Sequence, residues 1–286
     1  LSTAISAAGG RLNRLAKMRK LIIQIYEIQT PQEAERMLEL GVDHIGSVVA
    51  SRIDWKQPAL RETVRTVQEA SAVSSLIPLF NEPDTLAATL EYYRPDIVHF
   101  CESLPDPEID EGLVDRLVEL QRSLRGRFPG IRIMRSIPIP QAGAAPSSRA
   151  LSLAARFEPV SDLFLTDTLL TPAAGKNAAP QPVPGFVGIT GKICDWHTAA
   201  GLVNQTRLPV ILAGGISADN VEEAIRCVHP AGVDSCTLTN AMDREGHPIR
   251  FKKDPEKVKR MVATVRSFES QPEPLKRGTH HHVRGK

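Results

Sequence analysis

An aspartate, Asp167, follows the apolar run Leu163, Phe164, Leu165. A carboxylate carried out of a buried strand costs free energy unless it is paired or put to use. Its type and place suit a general acid or base. The plainer alternative is a salt bridge to Arg135 or a cap for the loop that follows. Farther along, LPVILAGGISADN (208–220) joins a β-branched strand to a helix start through Gly214 and Gly215. Glycines at such a junction let the backbone turn and approach a ligand, and Ser217 or Asp219 can cap the helix. The positive end of that helix suits an anion, most often a phosphate. A tight turn without a ligand is the competing reading. Between these stretches lies GITGKICDW (188–196), with Gly188 and Gly191, the cation Lys192, and Asp195 as a helix cap. It lacks the GxxxxGK[ST] spacing of a nucleotide-binding loop. Its length suits a lid.

These residues need elements to position them, and the chain from Leu21 onward alternates strand and helix signals. Strands are expected at 21–26, 42–50, 75–80, 96–102, 131–137, 162–168, 210–212 and 232–238. Helices are expected at 30–41, 60–73, 84–93, 112–125, 147–157, from 195, at 221–228 and at 254–268. Thr30 with Pro31, and Asp254 with Pro255, give two helix starts in which a capping side chain precedes a proline in the first turn. Eight strand–helix pairs in strict alternation predict a single (β/α)8 TIM barrel. An open doubly wound sheet would carry a glycine turn after its first strand, and 27–29 is Glu-Ile-Gln. In a barrel the ligand sits at the C-terminal strand ends, with phosphate near strands seven and eight. That directs attention to Tyr26, Glu27, Arg52, His99, Cys101, Glu102, Arg135, Asp167 and Thr237.

The 286 residues are 42% hydrophobic and 24% charged, the profile of a globular domain. No apolar run approaches the roughly 18 residues of a membrane span. The formal charge of +2 conceals basic ends and a net acidic centre, which argues against a nucleic-acid groove in the body. Residues 1–20 therefore read as a basic extension, 21–269 as the barrel and 270–286 as a basic tail. The small, basic stretch ahead of Met18 reads as an upstream extension sooner than as a targeting segment. Cys101, Cys194, Cys227 and Cys236 lack CxxC spacing and read as free thiols in a reducing, cytoplasmic setting, with no metal site.

Taken together, DIVHFC, FLTDT, GITGKICDW, ILAGGISADNV, VDSCT and KDPEKVKRMVATVR resemble phosphoribosylanthranilate isomerases over roughly 21–268, most specifically from Asp162 onward. The resemblance implies an Amadori-type aldose to ketose rearrangement of a phosphoribosylated aromatic amine, in tryptophan biosynthesis, with no metal and no organic cofactor. A general acid opens the ribose ring, and a general base removes the C2 proton. The resemblance places the acid at Asp167 and the phosphate site at Gly191, Gly214, Gly215 and Thr237. Arg52, His99 and Lys192 are the further substrate-binding candidates.

The strand-one cysteine that serves the family as base falls at Tyr26, and its neighbouring glycine at Glu27. A phenol, with a reference pKa of about 10, is a poor base near neutrality. Glu27, Cys101 and His99 are therefore candidate substitutes. Arg52 stands out of register with the family's arginine, Trp55 lies near that place, Cys101 replaces a histidine, and Leu238 replaces a glycine. Two alternatives stand beside the isomerase: another phosphosugar enzyme of the same barrel, and a non-catalytic barrel that binds a phosphorylated metabolite.

Overall fold

The computed structural model describes residues 20–104, 107–144, 148–170 and 181–270. Eight parallel strands close a barrel in sequential order. They are β1 (Ile22–Ile25), β2 (His44–Val49), β3 (Val73–Pro78), β4 (Ile97–Phe100), β5 (Arg132–Pro140), β6 (Leu163–Leu169), β7 (Val210–Leu212) and β8 (Gly232–Ser235). Around them run α1 (Pro31–Glu39), α2 (Pro58–Glu69), α3 (Pro83–Tyr93), α4 (Pro107–Arg127), α5 (Arg149–Phe157), α6 (Trp196–Gln205), α7 (Val221–Val228) and α8 (Pro255–Glu269). The barrel closes where β1 lies beside β8, with Ile22 opposite Gly232 and Ile25 opposite Ser235. The (β/α)8 expectation therefore holds. Among the described residues no helix is long and apolar enough to cross a membrane.

Local chemistry sets the element starts. Thr30, Asp195 and Asp254 accept hydrogen bonds from N–H groups in the first turns of α1, α6 and α8, and proline opens α1, α2, α3 and α8. An aspartate stands before each of three even strands and accepts from a backbone N–H of the preceding odd one. These bonds are Ile23 N to Asp43 at 2.9 Å, Ser74 N to Asp96 at 2.8 Å and Ile133 N to Asp162 at 2.8 Å. They satisfy donors at the barrel floor and fix the register of neighbouring strands.

The strands face both ways. Ile23 and Ile25 pack outward against the helices, whereas Tyr26, Ile97, Met134, Leu163, Leu165, Ile211 and Ala213 pack together inside. The interior is also polar. Gln24 bridges His44 and Asp234, donating to the carboxylate at 3.1 Å. One layer higher, the Tyr26 phenol lies 2.6 Å from the Ser75 hydroxyl and 2.7 Å from His99 Nδ1, and His99 Nε2 lies 2.8 Å from Ser136 Oγ. The ring of Tyr26 fills the space over Gly46, where a Cβ would come within 2.1 Å of it.

Several expectations need correction. The second helix runs 58–69 and not 60–73; the chain reverses at Ser71 (φ 58°), and Val73 opens β3. Strand eight stops at Ser235, and a 3-10 turn at Thr237–Thr239 leads into an antiparallel hairpin, β9 (Asn240–Met242) and β10 (Pro248–Lys253), unforeseen in the sequence. Neither Ser217 nor Asp219 caps α7. Asn220 stands at the cap position and its side chain braces the turn, accepting from Ser217 N and donating to Gly215 O. Arg135 makes no bridge to Asp167. It is fully buried behind β5, where it pairs with Glu102, donates to Gln121 Oε1 at 2.7 Å and lies over the rings of Phe157 and Phe100. The expected basic extension and tail lie outside the described residues, except for Lys20 and Ser270.

Two stability outcomes follow. Gly46→Ala forces a methyl group into the Tyr26 ring and should destabilise by about 1–3 kcal/mol in denaturant unfolding. The cost should shrink markedly when Tyr26→Ala is also present, and equal costs in both backgrounds would show that the contact is not the cause. Glu102→Ala leaves a buried guanidinium without its carboxylate and should cost about 3–5 kcal/mol. A loss below about 1 kcal/mol would place the weight of that pair elsewhere.

Candidate functional site

At the C-terminal mouth two cavities share a wall. One, of about 540 Å³, is lined mainly by apolar side chains, including Val48, Ile77, Leu79, Leu165, Phe186 and Val187, together with Cys101. The other, of about 320 Å³, is lined by Thr190, Gly191, Gly214, Gly215, Ser235 and Thr237. Asp167, Ile189, Asp234 and Cys236 line both. The strands deliver these residues because inward positions recur every second residue: Leu163, Leu165, Asp167 on β6, and Asp234 then Cys236 at β8. The large cavity suits a flat apolar group, and the small one suits a compact polar group.

The small cavity owes its shape to backbone. Gly214 (φ 92°) and Gly215 (φ 66°) adopt left-handed conformations. A side chain at Gly215 would strike the main chain of Lys192 and Ile193 at 2.6 Å. Thr168 Oγ1 donates to Lys192 O at 2.6 Å, which ties the loop after β6 to this turn. Thr237 Oγ1 is buried without a hydrogen-bond partner and stands ready to donate to a ligand. Lys192 itself is exposed.

The loop after β6 crosses the mouth instead of standing free. Ser103 N donates to Gly185 O, Val187 N to Cys101 O, and Ala142 N to Ile193 O, at 2.8–2.9 Å. Gly188 rests against the carboxylate of Asp167, where a Cβ would lie 2.5 Å from Oδ2. Burial pushes the Asp167 pKa up to about 7, against a single backbone donor, Thr168 N. The Asp234 pKa is pushed up to about 8, chiefly by burial, with the Gln24 hydrogen bond and Lys253 favouring its ionised form and Asp167 opposing it. Two carboxyl groups that titrate near neutrality therefore border the junction of the two cavities.

Tyr26, His99, Cys101 and Glu27 line the apolar cavity, so the structure gathers four sequence candidates beside Asp167. Their states differ. Burial raises the Tyr26 phenol well above its ordinary value, and its oxygen is held between Ser75 and His99. His99 is lowered to about 3 by burial and by Arg135, so it is neutral, and both ring nitrogens are occupied. The Cys101 thiol is pushed up by burial, then by Glu102 and Asp167. Glu27, at φ 65°, accepts from Arg250 Nε at 2.7 Å and Nη2 at 2.5 Å. Arg52 is not brought in. It pairs with Glu82 at 2.8 Å and lines a separate open groove with Asn81 and Ser103.

The sequence reading overlooked three residues. Asp234 was visible in VDSCT as a carboxylate inside an apolar strand, the same signal that singled out Asp167. Arg250, which lines the apolar cavity, and Lys253, whose ammonium donates to Cys236 O at 2.9 Å and to Asn240 Oδ1 at 2.5 Å, arrive on the unforeseen hairpin.

Residues 131–264 match the family described as N-(5'-phosphoribosyl)anthranilate (PRA) isomerase. The chain is 26% identical over 253 residues to N-(5'-phosphoribosyl)anthranilate isomerase of Methanocella arvoryzae, covering 85% of this chain and 97% of that protein. It is 29% identical over 261 residues to the protein of that name from Desulfitobacterium hafniense DCB-2, again covering 85% and 97%. Among solved structures, N-(5'-phosphoribosyl)anthranilate isomerase from Pyrococcus furiosus is similar in fold at a TM-score of 0.59 and 21% identity, over 86% of this chain and 99% of that one. A phosphoribosyl anthranilate isomerase in complex with reduced 1-(o-carboxyphenylamino)-1-deoxyribulose 5-phosphate gives the same TM-score at 18% identity, over 86% and 99%. These relatives span the barrel, and the matched segment carries Asp167, the glycine turn and strand eight, so the chain is similar to phosphoribosylanthranilate isomerases over most of its length.

Proposed function

We propose that this protein is a phosphoribosylanthranilate isomerase of tryptophan biosynthesis, converting a phosphoribosylated aromatic amine into the corresponding 1-amino-1-deoxyketose. The observation that carries the reading is the pair of cavities meeting at Asp167: an apolar one sized for an aromatic ring and a glycine-walled one suited to phosphate. A ligand spanning them sets its ribose against Asp167. With its pKa raised to about 7 by burial, that carboxyl can hold a proton near neutrality and give it to the ring oxygen. Ring opening then leaves a C1–nitrogen double bond, which acidifies the C2 proton for removal by a base. Gly214, Gly215, Gly191 and the unpartnered Thr237 hydroxyl hold the phosphate in this reading, while the neutral His99 and the Cys101 thiol line the aromatic side. All the required chemistry is proton transfer.

The exposed position of Arg52 and the sealed phenol of Tyr26 favour a second reading, a different phosphosugar substrate processed by the same Asp167. Complementation of a tryptophan auxotroph lacking the isomerase separates the two. Growth supports the isomerase, and failure of the well-expressed chain to restore growth rules it out.

In a direct turnover assay with phosphoribosylanthranilate, Asp167→Asn should lower kcat/KM by about 10²–10⁴-fold. Activity within threefold of the unaltered chain would remove Asp167 from the reaction. Gly215→Glu drives a side chain against the main chain of Lys192 and Ile193 at a left-handed position and so deforms the wall of the small cavity. It should abolish the rise in thermal midpoint that reduced 1-(o-carboxyphenylamino)-1-deoxyribulose 5-phosphate gives the unaltered protein. Undiminished protection would place the phosphate elsewhere.

A further inference from the structure

The reaction needs a base for the C2 proton, and the family's cysteine position holds Tyr26. That phenol is 4% exposed, its oxygen engaged by Ser75 and His99 and its ring seated on Gly46. It is a structural plug. A substitute must border the place where a ribose bridges the two cavities. The titratable residues lining both are Asp167, Asp234 and Cys236. Asp167 is taken as the acid, so the choice lies between a carboxylate and a thiol on adjacent inward positions of one strand end.

The surroundings separate them. Asp234 accepts from Gln24 Nε2, whose own amide oxygen is braced at 3.3 Å by His44 Nδ1. This aims one carboxylate oxygen and favours its ionised form, with Lys253 adding positive charge. Burial drives the Cys236 thiol above its ordinary range against the opposing charge of Lys253, and Glu27 and Asp234 oppose its ionisation further. We propose that Asp234 is the general base that replaces the family's strand-one cysteine, working with Asp167 as a carboxyl pair that holds one proton between them. This rests on the isomerase reading above.

The proton ledger closes on that pair. Asp167 gives its proton to the ring oxygen as the C1–O bond breaks and its electrons go to oxygen, while the amine lone pair makes the C1–nitrogen double bond. The Asp234 carboxylate takes the C2 proton, the C–H electrons form C1=C2, and the nitrogen recovers its pair. Asp234 then returns its proton to C1, and the C2 hydroxyl proton passes to the Asp167 carboxylate as the ketone forms. Both groups finish as they began. The charged and titratable groups around the pair are Lys253 from β10, Tyr26 and Glu27 from the end of β1, Cys101 after β4, Cys194 before α6 and Cys236 after β8, with His44 of β2 reached through Gln24. Mutual repulsion between the two carboxyls keeps one protonated when the other ionises.

The test is steady-state turnover of phosphoribosylanthranilate across pH. The unaltered chain should give a bell: activity falls at low pH when the carboxyl pair holds two protons and at high pH when it holds none. Asp234→Asn should lower kcat by about 100-fold or more and erase the low-pH limb. It should keep thermal protection by reduced 1-(o-carboxyphenylamino)-1-deoxyribulose 5-phosphate, which shows that the site is folded. Cys236→Ala should fall by less than about tenfold. Should Asp234→Asn not fold, Gln24→Leu keeps the carboxylate but removes its donor, and should move the low-pH limb upward. Near-full activity of Asp234→Asn, a 100-fold loss confined to Cys236→Ala, or an unmoved limb in Gln24→Leu would overturn the assignment while leaving the isomerase reading intact. Absence of turnover by the unaltered chain would overturn both.

Discussion

The hydrogen-bonded layer that runs Ser75, Tyr26, His99, Ser136 across the barrel interior constrains everything above it. A tyrosine pointing inward from β1 needs room for its ring and a partner for its hydroxyl, since an unmade buried hydrogen bond costs about 1–3 kcal/mol. Gly46 on β2 provides the room. Ser75 on β3 and His99 on β4 provide the partners, and Ser136 on β5 completes the imidazole's own requirement. Five consecutive strands thus adjust to one side chain. The layer forms the floor of the apolar cavity and withdraws the phenol and imidazole from proton chemistry.

The two carboxyls that titrate near neutrality lie on the opposite wall of the barrel. Asp167 on β6 and Asp234 on β8 flank the glycine turn after β7, so the carboxyls and the glycine-walled cavity belong to three consecutive strands. The loop after β6 covers them and is pinned by backbone bonds to the ends of β4 and β5. Burial beneath that loop is the main cause of the raised pKa values at both aspartates. The same desolvation that makes an ionised carboxylate costly here makes a protonated one available near neutrality.

The hairpin after β8 adds a second layer of control. It brings Arg250 to the buried Glu27 and Lys253 beneath Cys236. Glu27 holds a left-handed backbone conformation that an L-residue adopts at some cost, and the double donation from Arg250 offsets it. The residue at position 27 and the hairpin therefore form one unit. Lys253 in turn supplies positive charge behind Asp234, so an excursion outside the eightfold repeat tunes a residue inside the barrel.

The sequence by itself determined the barrel. Period-two strands, prolines at helix starts and capping residues such as Thr30, Asp195 and Asp254 act within a few residues, and their alternation eight times admits one closed topology. It also determined that Asp167 and the Gly214–Gly215 turn lie at the same mouth, because every strand of such a barrel ends there. Only the tertiary structure decided which side chains at that mouth are free. Tyr26 and His99 lie 73 residues apart, and each occupies a polar atom of the other. Arg135 sits one residue from the lumen in sequence, yet faces α4 and α5, because alternation sends it outward. Asp234 shares the signal of Asp167 but gains its meaning from Gln24, 210 residues away, and from a hairpin with no periodic signature. Local propensity fixes where elements begin and end. Burial and charge, which set the chemistry, are sums over neighbours that only folding brings together.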